Sequence, residues 1–272
     1  METRLGRFRA DWERPEPLNF AWPIVLVPEL FTTAHHLAIL RGYLATIGWE
    51  VYAPDLRGVA GRSTENAAAH SFAGTAAMLA EAVNALNGET IVMGHGLGGS
   101  LALKAAENPK VRATIALAPM VPGLRSPLLT RAANWPRIWS RRALKPPRGA
   151  ALFNLLADTD PFQREALARA LVADDARAAL EVARGSVKFE DAQRAAPRLI
   201  VVGDSDFFVP LDAAAGFATQ IGATLRVVRG YGHWLVVGRA LKRAIAEVQR
   251  FLVHRLGADL LLLYDEAWKD KG

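Results

Sequence analysis

Two glycines, Gly94 and Gly98, frame a short turn at which a nucleophilic side chain is expected. The run Gly94-His95-Gly96-Leu97-Gly98 follows a buried apolar segment, residues 90–93, and leads directly into a helical segment. A strand, the pattern G-x-S-x-G and a helix form a nucleophile elbow, which exposes its central side chain at the end of a sheet. The outer glycines are needed because the neighbouring chains leave no room for a Cβ atom. The centre of this run is Gly96, so the frame is present without a nucleophile.

An acid and a histidine follow later in the chain, each after a predicted strand. Residues 198–202 lead into Gly203-Asp204-Ser205-Asp206, and residues 224–228 lead into Tyr231-Gly232-His233-Trp234. Asp206 is the better candidate for the acid, and Asp204 is the alternative. In such a pair the carboxylate fixes the tautomer of the ring, and the ring accepts a proton. The sequence therefore predicts that Asp206 and His233 form a catalytic pair beside Gly96.

No neighbouring side chain replaces the missing nucleophile. Ser100 lies one helical turn beyond Gly96 and points away from the tip of the turn, so we interpret it as a packing residue. The chain has no cysteine, which excludes thiolate nucleophiles, disulfides and thiolate zinc sites. A covalent acyl-enzyme cannot form at position 96, because glycine has no side chain to acylate.

The elements that must position these residues alternate between short apolar segments and segments of helical period. This alternation predicts an α/β fold with a mostly parallel sheet flanked by helices. The predicted strands cover residues 24–27, 51–53, 90–93, 113–117, 198–202 and 224–228. The predicted core helices cover residues 32–47, 71–86, 100–106 and 239–256.

Residues 120–196 do not fit the alternation. They are rich in proline and arginine at first and then helical, over residues 161–171 and 174–183. Because structureless loops of this length are uncommon in compact domains, we predict a helical lid. Residues 1–119 and 197–272 then form the core domain.

The charge of the chain is uneven. The formal net charge is +6, and the segment between Met120 and Ala157 has no acidic residue. Its basic residues are Arg125, Arg131, Arg137, Arg141, Arg142, Lys145 and Arg148. Such a segment is a solvated loop, or it attracts an anionic substrate, acidic lipid headgroups or nucleic acid. No nucleic-acid-binding motif accompanies it, so nucleic acid is not an expected partner.

The sequence also disfavours membrane-spanning, secreted and cofactor-dependent proteins. No apolar run is long enough to span a membrane, and the charged N-terminus is unlike a signal peptide, so we expect a cytoplasmic protein. Histidines and carboxylates do not cluster at ligand spacing, and no phosphate-binding loop follows a strand. We therefore expect no metal or organic cofactor and a small-molecule substrate as the partner. Monomer and homodimer both remain open.

From residue 24 to residue 256 the chain resembles the α/β-hydrolase superfamily, including lipase-like and monoglyceride-lipase-like esterases. The resemblance is carried by residues 51–58 (VYAPDLRG), 94–99 (GHGLGG), 201–206 (VVGDSD), 209–210 (VP) and 232–234 (GHW). It implies an α/β-hydrolase fold with His233 and Asp206 as catalytic residues. It also implies an oxyanion hole formed by the backbone N–H groups of Leu97 and Leu30. His95 and Trp234 are expected to line the substrate site, with packing as the alternative for His95.

The chain departs from this family at two positions. Gly96 replaces the usual serine, and Pro28-Glu29 replaces the His-Gly that commonly precedes the oxyanion donor. A carboxylate there opposes an oxyanion unless it is protonated or acts as a base, and the alternative is that Glu29 turns towards solvent or a lid arginine. We expect the space over Gly96 to hold a water molecule or a substrate group.

Two departures at one site favour natural divergence. We expect His233 to activate water or abstract a proton, with Glu29 as a second acid/base group. The substrate is then a small ester, lactone or ketone, anionic if the basic segment binds it, which is hydrolysed or undergoes elimination. Two alternatives remain: a serine esterase inactivated by a change of its serine to Gly96, and a ligand-binding protein without catalysis.

Overall fold

The sheet has eight strands, of which six are parallel. The computed structural model describes residues 1–56, 71–124, 129, 143–175, 177–190 and 196–261. The strands are β1 (Glu2–Leu5), β2 (Phe8–Glu13), β3 (Ile24–Val27), β4 (Val51–Pro54), β5 (Thr90–His95), β6 (Val111–Leu117), β7 (Arg198–Gly203) and β8 (Thr224–Val228). Their order across the sheet is β1-β2-β4-β3-β5-β6-β7-β8. The predicted α/β-hydrolase fold with a mostly parallel sheet is confirmed.

Helices occur both in the core and in the segment after β6. They are α1 (Ala38–Thr46), α2 (Phe72–Asn84), α3 (Leu97–Ala105), α4 (Ala150–Leu155), α5 (Pro161–Ala170), α6 (Arg177–Ala183), α7 (Leu211–Gln220) and α8 (Gly238–Leu256). Helices α4 and α7 were not predicted from the sequence, and α3 begins three residues before its predicted start. None of the helices in the described ranges is long and apolar enough to cross a membrane.

An N-terminal hairpin was also not predicted. Strands β1 and β2 pair antiparallel, and β2 pairs antiparallel with β4. Charged residues alternate with uncharged ones along both short strands, and exposed side chains alternate with more buried ones in β1 and in the first three residues of β2. Strands of this kind at a sheet edge carry a weaker signal than the continuous apolar runs of central parallel strands.

The parallel strands bring the candidate residues to one edge of the sheet. Strands β3, β5 and β7 are buried along their full lengths, as expected for a sheet covered on both faces. Because parallel strands end at the same edge, the loops after β3, β5, β7 and β8 meet there. These four loops carry Glu29, Gly96, Asp206 and His233.

Helices α4, α5 and α6 belong to the segment between β6 and β7 that was predicted to be a lid. They agree with its helical character, but the boundaries of the lid at residues 120 and 196 stay a prediction. Lys145 and Arg148 are exposed. The five arginines from Arg125 to Arg142, and the Arg57-Gly58 end of the VYAPDLRG motif, lie outside the described residues.

Candidate active site

The turn between β5 and α3 has the shape of a nucleophile elbow. Gly96 has φ +52° and ψ −116°, and it caps the N-terminus of α3. A Cβ atom on Gly94 would overlap the carbonyl group of Gly98, and one on Gly98 would overlap the carbonyl group of Val27. The outer glycines are therefore required by close approach of the backbone.

The side chain of Glu29 occupies the space over Gly96. Glu29 is 2% exposed, and a Cβ atom built on Gly96 would overlap the Glu29 carboxylate. The space that we expected to hold a water molecule or a substrate group is therefore filled. The alternative orientation of Glu29, towards solvent or a lid arginine, is also wrong.

The two backbone donors expected to form the oxyanion hole bind this same carboxylate. Oε1 of Glu29 accepts hydrogen bonds from the N–H of Leu30, at 2.5 Å, and from the N–H of Leu97, at 3.0 Å. Leu30 and Leu97 thus converge on one oxygen atom, which belongs to the protein itself. Oε2 lies 3.3 Å from Nε2 of His233. Glu29 therefore occupies both the nucleophile position and the oxyanion hole.

His233 is held from its other side by Asp206. Nδ1 of His233 lies 2.9 Å from Oδ2 of Asp206. Oδ1 of Asp206 accepts the N–H groups of Phe208, at 2.7 Å, and Val209, at 3.0 Å, which fix the carboxylate. Asp204, the alternative acid, is exposed and instead accepts the N–H of Gly230 at 2.7 Å. Of the two candidates, Asp206 is the one that contacts the histidine.

The charges of Glu29, His233 and Asp206 depend on one another. Burial alone would lower the pKa of His233, but the charge and hydrogen bond of Asp206, together with those of Glu29, outweigh it and raise the pKa to about 10. Burial raises the pKa of Glu29, but its hydrogen bond to His233 and the neighbouring histidines hold that pKa below its ordinary value. The pKa of Asp206 is also lowered, since His233 outweighs the effect of burial. The two carboxylates therefore favour the charged form of His233, and loss of either carboxylate charge favours the neutral ring that can act as a base.

His95 and Trp234 lie behind these groups. Nε2 of His95 lies 2.9 Å from the carbonyl oxygen of His233, and its Nδ1 lies 4.0 Å from Oε2 of Glu29. Burial and the charge of His233 lower the pKa of His95 to about 4, so this ring is neutral and its Nε2–H donates to the carbonyl. Trp234 packs edge-on against His95 with ring centroids 5.0 Å apart. Both residues are buried, pack against each other and do not line the cavity described below. A substrate contact for either residue stays a prediction.

The expectation that no histidines and carboxylates cluster is wrong. Donor atoms of Glu29, His95 and His233 lie within 4.8 Å of one another. One carboxylate and two imidazoles form a ligand set that zinc accepts. The observed contacts are accounted for without a metal, because Nε2–H of the charged His233 faces Oε2 of Glu29. A metal ion would have to displace that proton.

A small cavity adjoins Glu29 and His233. Its other lining residues are Met120, Val121, Leu124, Phe208 and Val209. Its free volume is about 10 Å³, which is room for one water molecule. The lining is apolar except for the Glu29 carboxylate and the His233 ring.

Two aspartates between β6 and β7 bind the loops that carry Glu29 and His233. Oδ2 of Asp174 accepts the N–H of Phe31 at 3.0 Å, and the N–H of Val172 donates to the carbonyl oxygen of Phe31, also at 3.0 Å. Phe31 has φ +67°, a strained value for a residue with a side chain. The carboxylate of Asp158 accepts the N–H of Gly232 at 2.9 and 3.0 Å. Neither aspartate was predicted from the sequence, since nothing local to Asp158 or Asp174 indicates such distant partners.

Ser100 contributes no reactive group to the site. It is buried, and its Oγ donates to the carbonyl oxygen of Met120 at 2.7 Å.

Comparisons with known proteins agree with this architecture. A family model described as alpha/beta hydrolase family matches residues 20–247. No curated protein matches the chain. The structure is similar to that of a monoacylglycerol lipase from Paleococcus ferrophilus (TM-score 0.69, 20% identity, covering 91% of this chain and 99% of that one).

Two further solved structures are also similar. One is a thermophilic esterase from Thermogutta terrifontis (TM-score 0.67, 17% identity, covering 94% of this chain and 99% of that one). The other is Est816, described as an N-acyl homoserine lactone degrading enzyme (TM-score 0.68, 20% identity, covering 93% of this chain and 100% of that one). At these identities the similarity to solved structures indicates the fold alone.

Proposed function

The chain belongs to the alpha/beta hydrolase family, and we propose that it is a hydrolase in which Glu29 takes over the position of the missing serine. The observation that carries this proposal is the Glu29 carboxylate, which contacts Leu30 N–H, Leu97 N–H and His233 Nε2 at once. Burying a carboxylate is costly unless it is paired and hydrogen-bonded, and here the donors are the ones that the fold otherwise offers to substrate. No acyl-enzyme forms at Gly96.

In this proposal His233 and Asp206 supply the acid–base chemistry. Asp206 orients the ring through Nδ1, while Nε2 faces Glu29 and the cavity. His233 becomes a base when its Nε2 proton passes to Oε2 of Glu29, 3.3 Å away, which leaves both the ring and the carboxyl group neutral. This modifies the expectation that His233 activates water from the start, and it makes Glu29 part of the cycle.

The cavity limits the substrate. Its lining favours a small and mainly apolar molecule, and the Glu29 carboxylate at its wall opposes an anionic one. Elimination and non-covalent hydrolysis of a small ester, lactone or ketone use the same acid–base groups, so all of these substrates belong in the test below.

Both alternatives are less well supported. A serine hydrolase inactivated by a serine-to-glycine change at position 96 would have room for the serine, but a side chain there would overlap Glu29. A ligand-binding protein without catalysis has no need of the buried His233–Asp206 pair, in which Nδ1 and Oδ2 lie 2.9 Å apart.

The experiment is a turnover assay with short-chain esters, lactones, ketones, epoxides and primary alkyl halides. We expect at least one class to be turned over, and Glu29→Gln and His233→Ala each to lower the rate by about 10²- to 10⁴-fold. Glu50→Gln is the matched control, because Glu50 bonds to Trp12 and Tyr52, away from the site. The rate should be unchanged by a chelator. Wild-type turnover by Glu29→Gln, or no turnover of any class, contradicts the proposal.

A further inference from the structure

One ring nitrogen of His95 is buried without a hydrogen-bond partner. Among the described residues, no donor or acceptor bonds to Nδ1 of His95. Nε2 of the same ring lies 2.9 Å from the carbonyl oxygen of His233, which can only accept, so Nε2 carries the proton. Nδ1 of the neutral ring therefore presents a lone pair. A buried acceptor with no donor costs free energy, so this lone pair requires an explanation.

The lone pair of His95 faces two other atoms that can bind a metal ion. Oε2 of Glu29 lies 4.0 Å from Nδ1 of His95 and 3.3 Å from Nε2 of His233. The centroids of the two imidazole rings are 4.9 Å apart, and donor atoms of all three residues lie within 4.8 Å of one another. Zinc lies about 2.0–2.2 Å from such nitrogen and oxygen atoms, so two of its ligand atoms are at most about 4.2 Å apart. A small inward shift therefore completes a site, and we infer that Glu29, His95 and His233 bind one zinc ion.

Each of the three ligands is held from behind, as zinc ligands commonly are. A metal-binding histidine donates its other N–H to a carboxylate or a carbonyl group, which fixes the ring. Nδ1 of His233 meets Oδ2 of Asp206 at 2.9 Å, and Nε2 of His95 meets the carbonyl oxygen of His233. Oε1 of Glu29 accepts the N–H of Leu97 at 3.0 Å, which leaves Oε2 to face the metal. The orientation of the site therefore exists before zinc arrives.

The charges of the buried groups favour a dication over a proton. With both nitrogens of His233 protonated, Glu29 and Asp206 bring two negative charges against one positive charge. Zinc takes the place of the Nε2 proton, which leaves to solvent, and the sum of the charges becomes zero. Buried charges are costly unless they are balanced and well coordinated. His95 adds a neutral ligand and leaves this balance unchanged.

The cavity beside the site supplies the fourth ligand. Zinc with three protein ligands usually completes its tetrahedron with water. The cavity adjoins Glu29 and His233 and has room for one water molecule. Nitrogen ligands exclude magnesium, which prefers oxygen ligands only, so the site discriminates between these two cations.

Bound zinc would silence the acid–base group. The ion takes the Nε2 lone pair of His233 and Oε2 of Glu29, which are the atoms that exchange a proton in the proposed function. This part of the inference rests on the proposed function, whereas zinc binding itself does not. Zinc is therefore a reversible inhibitor of the metal-free enzyme, and a chelator alone leaves that enzyme unchanged.

The first test measures zinc binding directly. Protein freed of metal is titrated with zinc chloride in competition with a fluorescent zinc indicator. We expect one tight site per chain, weakened more than about 100-fold in His95→Gln, since loss of an outer partner alone costs about 10- to 100-fold. The glutamine amide can still donate to the carbonyl oxygen of His233 but has no lone pair in place of Nδ1. His254→Gln is the matched control, because His254 is exposed on α8. Equal zinc affinity of His95→Gln and the wild type overturns the inference.

The wild-type protein gives a second measurement that does not depend on a variant folding. In NMR spectra of the histidine rings, one equivalent of zinc chloride should shift the signals of His95 and His233 and leave those of His254 in place. An excess of magnesium chloride should shift none of them. Unchanged signals of His95 and His233 in the presence of zinc overturn the inference.

The third test compares turnover with and without zinc. We expect zinc to lower the rate of the wild type, a chelator to restore it, and the ratio of the two rates to stay near one in His95→Gln, whatever the rate of that variant without zinc. Full activity with zinc bound overturns the inhibitory role, and so does turnover that requires zinc. Turnover without any zinc binding overturns the inference and leaves the proposed function standing. Zinc binding by a protein that turns over no substrate class does the reverse.

Discussion

At the scale of single residues, the glutamate at position 29 and the glycine at position 96 belong to one structural change. The carboxylate of Glu29 takes the volume that any side chain at position 96 would need. The same carboxylate satisfies the two backbone donors that otherwise wait for a substrate oxyanion. Buried N–H groups without a partner cost free energy, so this arrangement stabilises the resting site while it excludes the serine chemistry of the fold.

The pKa of His233 reports directly on this arrangement. Among the described residues, Asp206 and Glu29 flank the ring, His95 and Asp158 also interact with it electrostatically, and the two flanking carboxylates raise the pKa of His233 to about 10. We expect Glu29→Gln to lower it, because one of the two negative charges is lost while Asp206 remains. The measurement is a titration of the His233 ring protons by NMR, with Glu50→Gln as the control. An unchanged pKa in Glu29→Gln would show that Glu29 does not contact the ring.

Among the helices and loops, those at the carboxyl edge of the sheet are held by the segment between β6 and β7. Asp174 fixes Phe31, two residues beyond Glu29, and Asp158 fixes Gly232, the residue before His233. Both aspartates accept backbone N–H groups, so they control the path of a loop and touch no reacting atom. We therefore regard them as positioning residues.

Removing Asp174 should disturb Glu29 without removing it. Without the carboxylate, the strained backbone of Phe31 loses the partner of its N–H. Displacement of a catalytic group by about 1 Å can cost about 10²-fold in rate, so we expect Asp174→Ala to lower kcat by about 10- to 100-fold with little change in KM. Asp175→Ala is the matched control, because Asp175 contacts Arg177 instead. A change confined to KM would argue for direct substrate binding by Asp174.

The segment that follows β6 lines the cavity beside Glu29, where we propose that the substrate binds. Met120, Val121 and Leu124 form one wall of the cavity. We expect Met120→Ala to raise kcat/KM for longer alkyl substrates relative to short ones, because a methionine-sized volume is opened beside Glu29. Met78→Ala, in α2, removes the same volume elsewhere and should leave the ratio unchanged. Equal ratios in both variants would place substrate outside this cavity.

Over the molecule as a whole, the sequence predicts the sheet better than the site. The six parallel strands are built on short, mainly apolar runs, so their existence and the edge at which Asp206 and His233 meet follow from the sequence pattern. The hairpin of β1 and β2 does not, because its short strands carry charged residues on one face.

The contact between Glu29 and His233 could not be predicted from the sequence. Glu29 and His233 are separated by 204 positions in the chain, and nothing local to Glu29 indicates that its side chain turns inwards. The sequence does identify both residues as unusual or catalytic, and it identifies Leu30 and Leu97 as donors. Only the three-dimensional structure shows that the carboxylate of Glu29 lies in the space over Gly96.

Reintroducing the serine shows whether Glu29 occupies the place of a serine nucleophile and its oxyanion hole. We expect Gly96→Ser alone to stay unlabelled by a fluorophosphonate, because the new side chain competes with Glu29 and the hole is filled. In Gly96→Ser/Glu29→Gly the volume and both N–H donors are freed, so the serine should be labelled and short-chain esters hydrolysed. The measurement is the labelling rate of the two variants, with Glu29→Gly as the background. Fast labelling of the single variant, equal to that of the double variant, would mean that Glu29 does not hold that place.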